Sequence, residues 1–168
     1  MENLYDVAKY FLELDGRLGK MRLNRLLFYA QAWHLAKHKK PLFKEDFRVW
    51  KTGPVCKELD VMFGKEYETG TENPLGDSGR LKKKSKKTIE KVSKQYSNFP
   101  TWLLGTIPTS EKPFQRATEN HMKYIPKKWL KEYYGTMRKN SGLKNFRDIC
   151  LEYNKGKVYF GYWYGGSF

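Results

Sequence analysis

Residues 22–38 read RLNRLLFYAQAWHLAKH, and this stretch governs the architecture because its apolar side chains recur at helical spacing on more than one face. One stripe is formed by residues three or four positions apart: Leu23, Leu26, Leu27, Ala30 and His34. Phe28, Trp33 and Leu35 occupy other faces of the same helix. A helix that is apolar nearly all round is typical of a buried one. The sequence therefore predicts a mainly α fold, a compact single domain with this helix at its centre.

Gln31 is the polar exception in the middle of this helix, where it interrupts the run Tyr29-Ala30-Gln31-Ala32-Trp33. A buried amide must find hydrogen-bond partners, because leaving its donors and acceptor unpaired would cost free energy. We therefore expect the Gln31 side chain to tie the backbone of a neighbouring loop to the central helix.

The segments on either side of the central helix are predicted to form shorter elements. An amphipathic helix is expected over residues 3–14, where apolar residues again recur at helical spacing. Residues 41–52 show no clean period and predict an irregular strap with one helical turn over 45–49. Proline is favoured in the first turn of a helix, where its missing N–H needs no partner, so a third helix is predicted over 54–63.

The second half of the chain alternates between a polar loop and further helices. Turn-forming residues over 66–79 predict a surface loop. The sequence RLKKKSKKTIEKVSKQY at 80–96 predicts a basic helix whose later turns dock on the core. A short helix is expected over 99–104, and Pro126 marks the start of another.

Residues 139–168 are predicted to extend the helical domain of residues 1–138, into which the basic loop and helix 66–95 are inserted. The extension comprises a helix and an aromatic tail packed on the same domain, with a short β element because apolar residues alternate over 158–164. Four aromatic residues of the tail are candidate partner contacts, since such side chains bring large contact area: Tyr159, Tyr162, Trp163 and Tyr164. The alternatives are an edge strand against its own domain and stacking on single-stranded nucleic acid.

Two sequence motifs match a known family at that family's spacing. The first is of the type L-x-K-L-L-Y-Y-A-Q-x-W, and the second is of the type P-L-F-x-E-x-I-x-A-W-x-x-G-P-V. The matching residues are Leu23, Leu26, Leu27, Tyr29, Ala30, Gln31, Trp33, Pro41, Leu42, Phe43, Glu45, Trp50, Gly53, Pro54 and Val55. In these two motifs the chain resembles the Panacea domain family, also described as SocA-like or phage-associated GepA-like. The resemblance implies a non-catalytic, phage-associated antitoxin that neutralises a cognate toxin, encoded by an adjacent gene, in a direct complex.

The resemblance extends over about residues 3–138. The segment LLGTIPTSEKPFQRA at 103–117 looks like an altered form of a third family motif. It matches that motif at Glu111, but it has Phe114 in place of a tryptophan and lacks the family's histidine. Six residues are candidates either for a structural lock or for a partner surface, and the sequence leaves both roles open: Gln31, Trp33, Glu45, Trp50, Gly53 and Pro54.

The chain is strongly basic, with a formal net charge of +15 and a pI near 9.7. Such a charge favours an acidic partner, although a nucleotide-biased genome also produces lysine-rich chains. Five lysines of one run are candidate anion contacts: Lys82, Lys83, Lys84, Lys86 and Lys87. The run fits a solvated face, an acidic protein partner or nucleic acid. The alternative function is therefore a phage-encoded nucleic-acid-associated regulator or host-defence inhibitor.

The sequence predicts no catalytic site, no metal site and no cofactor. His34 and His38 have the spacing of two zinc ligands, but Leu35 stands where a zinc protease helix has glutamate, so we expect His34 in the core and His38 on the surface. Cys56 and Cys150 lie far apart in the sequence and belong to no CxxC motif, so we expect both to be reduced thiols. No apolar run could span a bilayer and no signal peptide is visible, so a cytoplasmic protein without membrane contact is expected. Homo-oligomer formation stays open.

Overall fold

A computed structural model describes residues 1–141 of the protein, and their side chains through Met137. The α-helices are α1 (Leu4–Asp15), α2 (Lys20–His38), α3 (Asp60–Phe63), α4 (Lys83–Tyr96), α5 (Thr101–Ser110), α6 (Lys112–Glu119) and α7 (Lys127–Ser141). Single turns of 3-10 helix cover Lys57–Leu59 and Ser78–Arg80. Two short strands, β1 (Leu18–Gly19) and β2 (Glu68–Thr69), pair antiparallel. The predicted mainly α fold is confirmed, and no helix within residues 1–141 is long and apolar enough to cross a membrane.

Helix α2 lies at the centre of the molecule, as its sequence predicts. Thirteen of its nineteen residues are buried, and α4, α5 and α7 pack along its length while α1 lies against both α2 and α4. Aromatic rings dominate one side of this core. The Phe28 ring meets the rings of Phe47 and Tyr134 edge-on at 5.3 and 6.5 Å, and Tyr29 stacks on Tyr96 at 4.1 Å.

The strap predicted over 41–52 is irregular as expected, but it contains no helical turn over 45–49, so that part of the prediction was wrong. Arg48 instead forms isolated antiparallel bridges with Val55 on one side and with Tyr124 on the other. The predicted helix over 54–63 was also wrong at its start, because helix begins only with the 3-10 turn at Lys57. The cause is pairing across the chain: Val55 forms an antiparallel bridge with Arg48, and its carbonyl accepts from the Arg48 N–H at 2.8 Å instead of from a later N–H of a helix.

The surface loop predicted over 66–79 is confirmed, except that it contains the short strand β2, and it is anchored on α1. Lys9 Nζ donates to the carbonyl oxygens of Thr71 and Asn73, both at 2.6 Å. The Asp77 N–H donates to Asp6 Oδ1 at 2.8 Å, so a carboxylate of α1 holds the far end of the loop. The loop therefore covers α1 as a fixed layer.

Candidate partner-binding surface

Gln31 locks the strap to α2, as the sequence predicts. Its side chain is fully buried. Gln31 Nε2 donates to Phe43 O at 2.9 Å, and Gln31 Oε1 accepts from the N–H of Leu42 at 2.7 Å. Both polar atoms of the amide are thus bonded to backbone groups, which makes Gln31 a structural residue and not part of a surface.

Arg25 supports the next turn of the chain from beneath, and sequence reasoning missed this role. Its guanidinium is buried, with 1% of the residue exposed, and it donates to the carbonyl oxygens of Thr52 and Pro54. Burial lowers the pKa of Arg25 to about 10, so the group remains a cation at neutral pH. Gly53 adopts φ 108°, and a side-chain carbon there would lie only 2.7 Å from Arg25 Nη2. Only glycine fits at this position.

Backbone pairing around Arg48 completes a small hairpin, which we name the tip hairpin and define as residues 47–55. Arg48 and Val55 exchange two N–H···O bonds at 2.8 and 3.1 Å, and the Gly53 N–H donates to Trp50 O at 2.9 Å to close the turn. A third segment pairs alongside, since the N–H of Val49 donates to Lys123 O at 3.0 Å. The turn at 50–53 is therefore fixed on both its flanks and from below.

Trp50 stands on this turn with 58% of its surface exposed to solvent. The other candidate tryptophan, Trp33, is only partly exposed: its Nε1–H donates to the Tyr96 hydroxyl at 2.9 Å. Gly53 and Pro54 are buried beneath the turn. The structure thus separates the six candidates, because Trp50 is the one with a large exposed apolar side chain.

Cationic side chains lie on the same paired segments as Trp50. The guanidinium of Arg48 and the ammonium of Lys123 lie 5.6 and 5.4 Å from the centre of the Tyr124 ring. Neither 48–53 nor 120–124 contains an aspartate or glutamate. We define the Trp50 face as five residues of these segments, of which Arg48 is half-buried and the other four are exposed: Arg48, Trp50, Lys51, Lys123 and Tyr124. The surface is aromatic and positive.

Glu45, the remaining signature residue, is half-buried and faces α1. After burial itself, its charge is the next cause that raises the pKa of Tyr5, a residue of α1. Glu45 Oε2 is buried and has no hydrogen-bond donor within the described part of the chain. This carboxylate therefore belongs to the interior side of the strap and not to the Trp50 face.

A buried carboxylic acid joins three elements on the other flank of α2, and the sequence carried no clear signal for it. Glu111 Oε2 accepts from the Tyr29 hydroxyl at 3.4 Å and from the Tyr134 hydroxyl at closer range. Burial raises the pKa of Glu111 to about 8, although the two tyrosine hydrogen bonds act in the opposite direction. The residue links α2, the start of α6 and α7, so its role in the described structure is to fasten helices together.

The histidines and lysines singled out from the sequence lie around α4. His34 is buried, with Nδ1 3.4 Å from Thr88 Oγ1, and the core position predicted for it is confirmed. Burial and then the neighbouring His38 lower the pKa of His34 to about 4. Lys82, Lys83, Lys84 and Lys87 are exposed, whereas Lys86 is half-buried with its ammonium 5.1 Å from the centre of the Tyr10 ring. Within residues 1–141 no three potential ligands gather as a metal ion requires.

Two concave regions lie elsewhere on the molecule. A groove of about 920 Å³ runs between α6 and α7, where the Arg116 guanidinium lies 4.1 Å from the centre of the Trp129 ring. A smaller, mostly polar depression of about 360 Å³ adjoins the start of α2. The predicted tail contacts Tyr159, Tyr162, Trp163 and Tyr164 lie outside the described residues, as do the predicted C-terminal helix and strand, and they stay predictions.

One family model matches the chain. Its description is "Antitoxin SocA-like, Panacea domain", and the match covers residues 23–115, which is more than half of the chain. The matched region begins in α2 and ends in α6, so it contains the tip hairpin, α4 and Glu111. Neither the curated proteins nor the solved structures yielded a match.

Proposed function

The chain belongs to the SocA-like antitoxin family with a Panacea domain, and we propose that it neutralises one toxin protein by holding it in a direct, stoichiometric complex. The proposal makes the protein a binding partner and not an enzyme, acting in the cytoplasm on a toxin encoded by the adjacent gene. The contact surface in this proposal is the Trp50 face.

The observation that carries the choice of surface is the exposure of Trp50 on a braced turn. Tryptophan is enriched among the residues that dominate binding energy, because a rigid ring buries much area and loses few rotamers. The turn beneath it is held by Arg25, and its flanks are paired with neighbouring backbone. Little conformational entropy is left for this turn to lose on binding, which favours affinity.

The charge of the same surface indicates which kind of toxin surface it fits. Arg48, Lys51 and Lys123 lie on the paired segments that carry Trp50, and neither 48–53 nor 120–124 contains a carboxylate. A toxin with an acidic rim around an apolar pocket would complement both features. Opposite charges would also raise the association rate, most strongly at low salt.

The first experiment tests whether a direct complex forms. The tagged protein is co-expressed with the product of the neighbouring gene, the two are purified together, and growth is measured with the neighbour expressed alone and with both. A toxic neighbour that is rescued and co-elutes at a fixed ratio supports the proposal. A harmless or unbound neighbour contradicts the direct-complex mechanism.

The second experiment tests the surface with two matched tryptophans. Trp102 lies on α5, outside the tip hairpin, and its exposure of 59% is close to that of Trp50. We expect Trp50→Ala to raise the Kd for the toxin at least about 30-fold, the equivalent of a 2 kcal/mol hot spot, and Trp102→Ala to leave it nearly unchanged. Equal affinities of the two variants would place the interface elsewhere, with the α6–α7 groove the next surface to mutate.

A further inference from the structure

Helix α4 presents a stripe of lysines to solvent, opposite the face that packs on the core. Successive residues of an α-helix are rotated by about 100°, so the exposed lysines of α4 fall within an arc of about 100°. They are Lys83, Lys84, Lys87, Lys91 and Lys94. At a rise of about 1.5 Å per residue the row is about 16 Å long. We name this row the lysine stripe.

The buried face of α4 holds the stripe in place. Ile89, Val92 and Tyr96 are buried at helical spacing, and the hydroxyls of Ser85 and Ser93 bond to carboxylates of other segments. Ser85 Oγ donates to Glu2 Oε1 at 2.6 Å, and Ser93 Oγ donates to Asp15 Oδ1 at 2.7 Å. The stripe therefore lies on a docked helix whose direction is fixed.

The lysine stripe keeps an excess of positive charge, because its five lysines share helix α4 with a single carboxylate. None of its five ammonium groups forms an ion pair or a hydrogen bond there. The one carboxylate of α4, Glu90, accepts a hydrogen bond from the Tyr10 hydroxyl at 2.7 Å. Lys37 of α2 adds charge nearby: after burial and His38, Lys84 and Lys37 are the next causes that lower the pKa of His34.

We propose that the lysine stripe is a contact surface for the phosphates of a nucleic-acid backbone, independent of base sequence. A row of lysines on a straight helix suits a polymer that carries one negative charge at each repeat. Lysine supplies a flexible point charge and not the planar fork that arginine offers to a guanine edge, so the stripe positions a backbone and reads no bases.

A protein partner fits the same stripe less well. Protein interfaces are depleted of lysine and have an apolar or aromatic centre, which the stripe lacks. The Trp50 face has such a centre, and the two surfaces are therefore suited to different classes of macromolecule. Binding of a nucleic-acid backbone by the lysine stripe is additional to the proposed antitoxin function and is tested independently of it.

The test is a binding titration by fluorescence anisotropy with two labelled 24-base-pair duplexes of unrelated sequence, between 50 and 200 mM KCl. Lys83→Gln, Lys87→Gln and Lys91→Gln are combined in one variant. A control of equal net charge combines Lys112→Gln, Lys128→Gln and Lys131→Gln, three exposed lysines of α6 and α7. We expect equal Kd values for both duplexes, and a log–log salt slope reduced by up to about 2.7 in the stripe variant, or about 0.9 for each phosphate that is no longer neutralised. The control should keep a slope close to that of the unaltered protein.

Three results would overturn the proposal. The first is the absence of binding at 50 mM KCl, and the second is an equal reduction of the slope in both triple variants, which would assign the attraction to overall charge. The third is competition by polyglutamate that matches unlabelled duplex at equal charge, which would indicate an acidic protein ligand. The unaltered protein and both triple variants must have the same melting temperature. If the stripe variant melts at a lower temperature, a double variant of the same stripe, Lys84→Gln with Lys94→Gln, replaces it. Toxin binding by the stripe variant, measured in parallel, separates failure here from failure of the antitoxin proposal.

Discussion

The two flanks of α2 are held by different chemistry, and each carries a different kind of surface. Towards the tip hairpin, polar side chains of α2 bind backbone groups directly: Arg25 holds the carbonyls of the turn and Gln31 holds the strap. Towards α4, contact is mainly apolar, through residues such as Ile89 and Val92. An irregular loop keeps one conformation only when its backbone groups are satisfied individually, whereas a helix satisfies its own. The braced flank can therefore display one ordered tryptophan, and the helical flank displays a repeating row of charge.

The largest expected effect concerns Glu111 and pH. Its folded pKa of about 8 lies above the ordinary value of 4.5, so the stabilisation that it contributes is complete below about pH 4.5 and is lost as pH rises through about 8. The free energy of unfolding should fall by up to about 1.4 kcal/mol per pH unit within that window. Glu111→Gln, which keeps an acceptor for Tyr134 but cannot ionise, should remove this slope.

His34 sets the useful range for that measurement. Its folded pKa of about 4 lies below the ordinary 6.5, so its contribution is present above pH 6.5 and is lost as pH falls towards 4. The two slopes oppose each other between about pH 4.5 and 6.5. Urea unfolding of both proteins between about pH 6.5 and 8.5 therefore isolates Glu111, and parallel pH curves for Glu111→Gln and the unaltered protein would refute the assignment.

Gly53→Ala should break the braced flank and spare the other. The substitution combines an unfavourable φ of 108° with a 2.7 Å approach to Arg25 Nη2, so we expect a loss of about 2–3 kcal/mol in the free energy of unfolding. Urea denaturation measures that loss. Toxin binding should weaken, while binding of duplex DNA to the lysine stripe should not change in the folded protein.

Gly16→Ala is the matched control, because Gly16 also has a positive φ, of 78°, but no atom within 4 Å of an added carbon. Its cost should lie in the lower part of the roughly 1–3 kcal/mol range of unfavourable backbone conformations, because no steric contact adds to it. The difference between the two variants measures the approach to Arg25. A difference near zero would show that the guanidinium moves aside and does not brace the turn.

Gln31→Leu is expected to decrease the free energy of unfolding by about 1–3 kcal/mol. The variant leaves the Leu42 N–H and the Phe43 carbonyl without their partner on α2. Gln115→Leu, at an exposed position of α6, controls for the change of side chain. Melting temperatures measured by circular dichroism that stay equal for both variants would contradict the role of Gln31 as a lock.

Sequence reasoning succeeded where one local pattern implies one environment. The spacing of apolar residues in α2 implied burial, and a glutamine inside such a helix implied a bond to a neighbouring loop, which Phe43 and Leu42 provide. It failed where the partner is distant. Arg25 was considered only as part of its own helix, but the carbonyl oxygens that it binds belong to residues 27 and 29 positions away. Glu111 was recognised only as one residue of a family motif, but its hydrogen-bond partners Tyr29 and Tyr134 come from two other helices.

Periodicity and composition were enough to establish the central helix, the locations of most other helices, and the presence of aromatic and basic side chains, while the family was indicated by the resemblance of two sequence motifs. These properties are local, so they can be read without knowledge of the fold. The exposure of Trp50 and the burial of Gly53 and Pro54 could be learned only from the folded chain, although all three belong to the same sequence motif. The exposure of a residue depends on which distant groups cover it. Here residues 123–125 pair with the tip hairpin and Arg25 of α2 binds its turn, and these contacts fix which side chains of the hairpin are exposed.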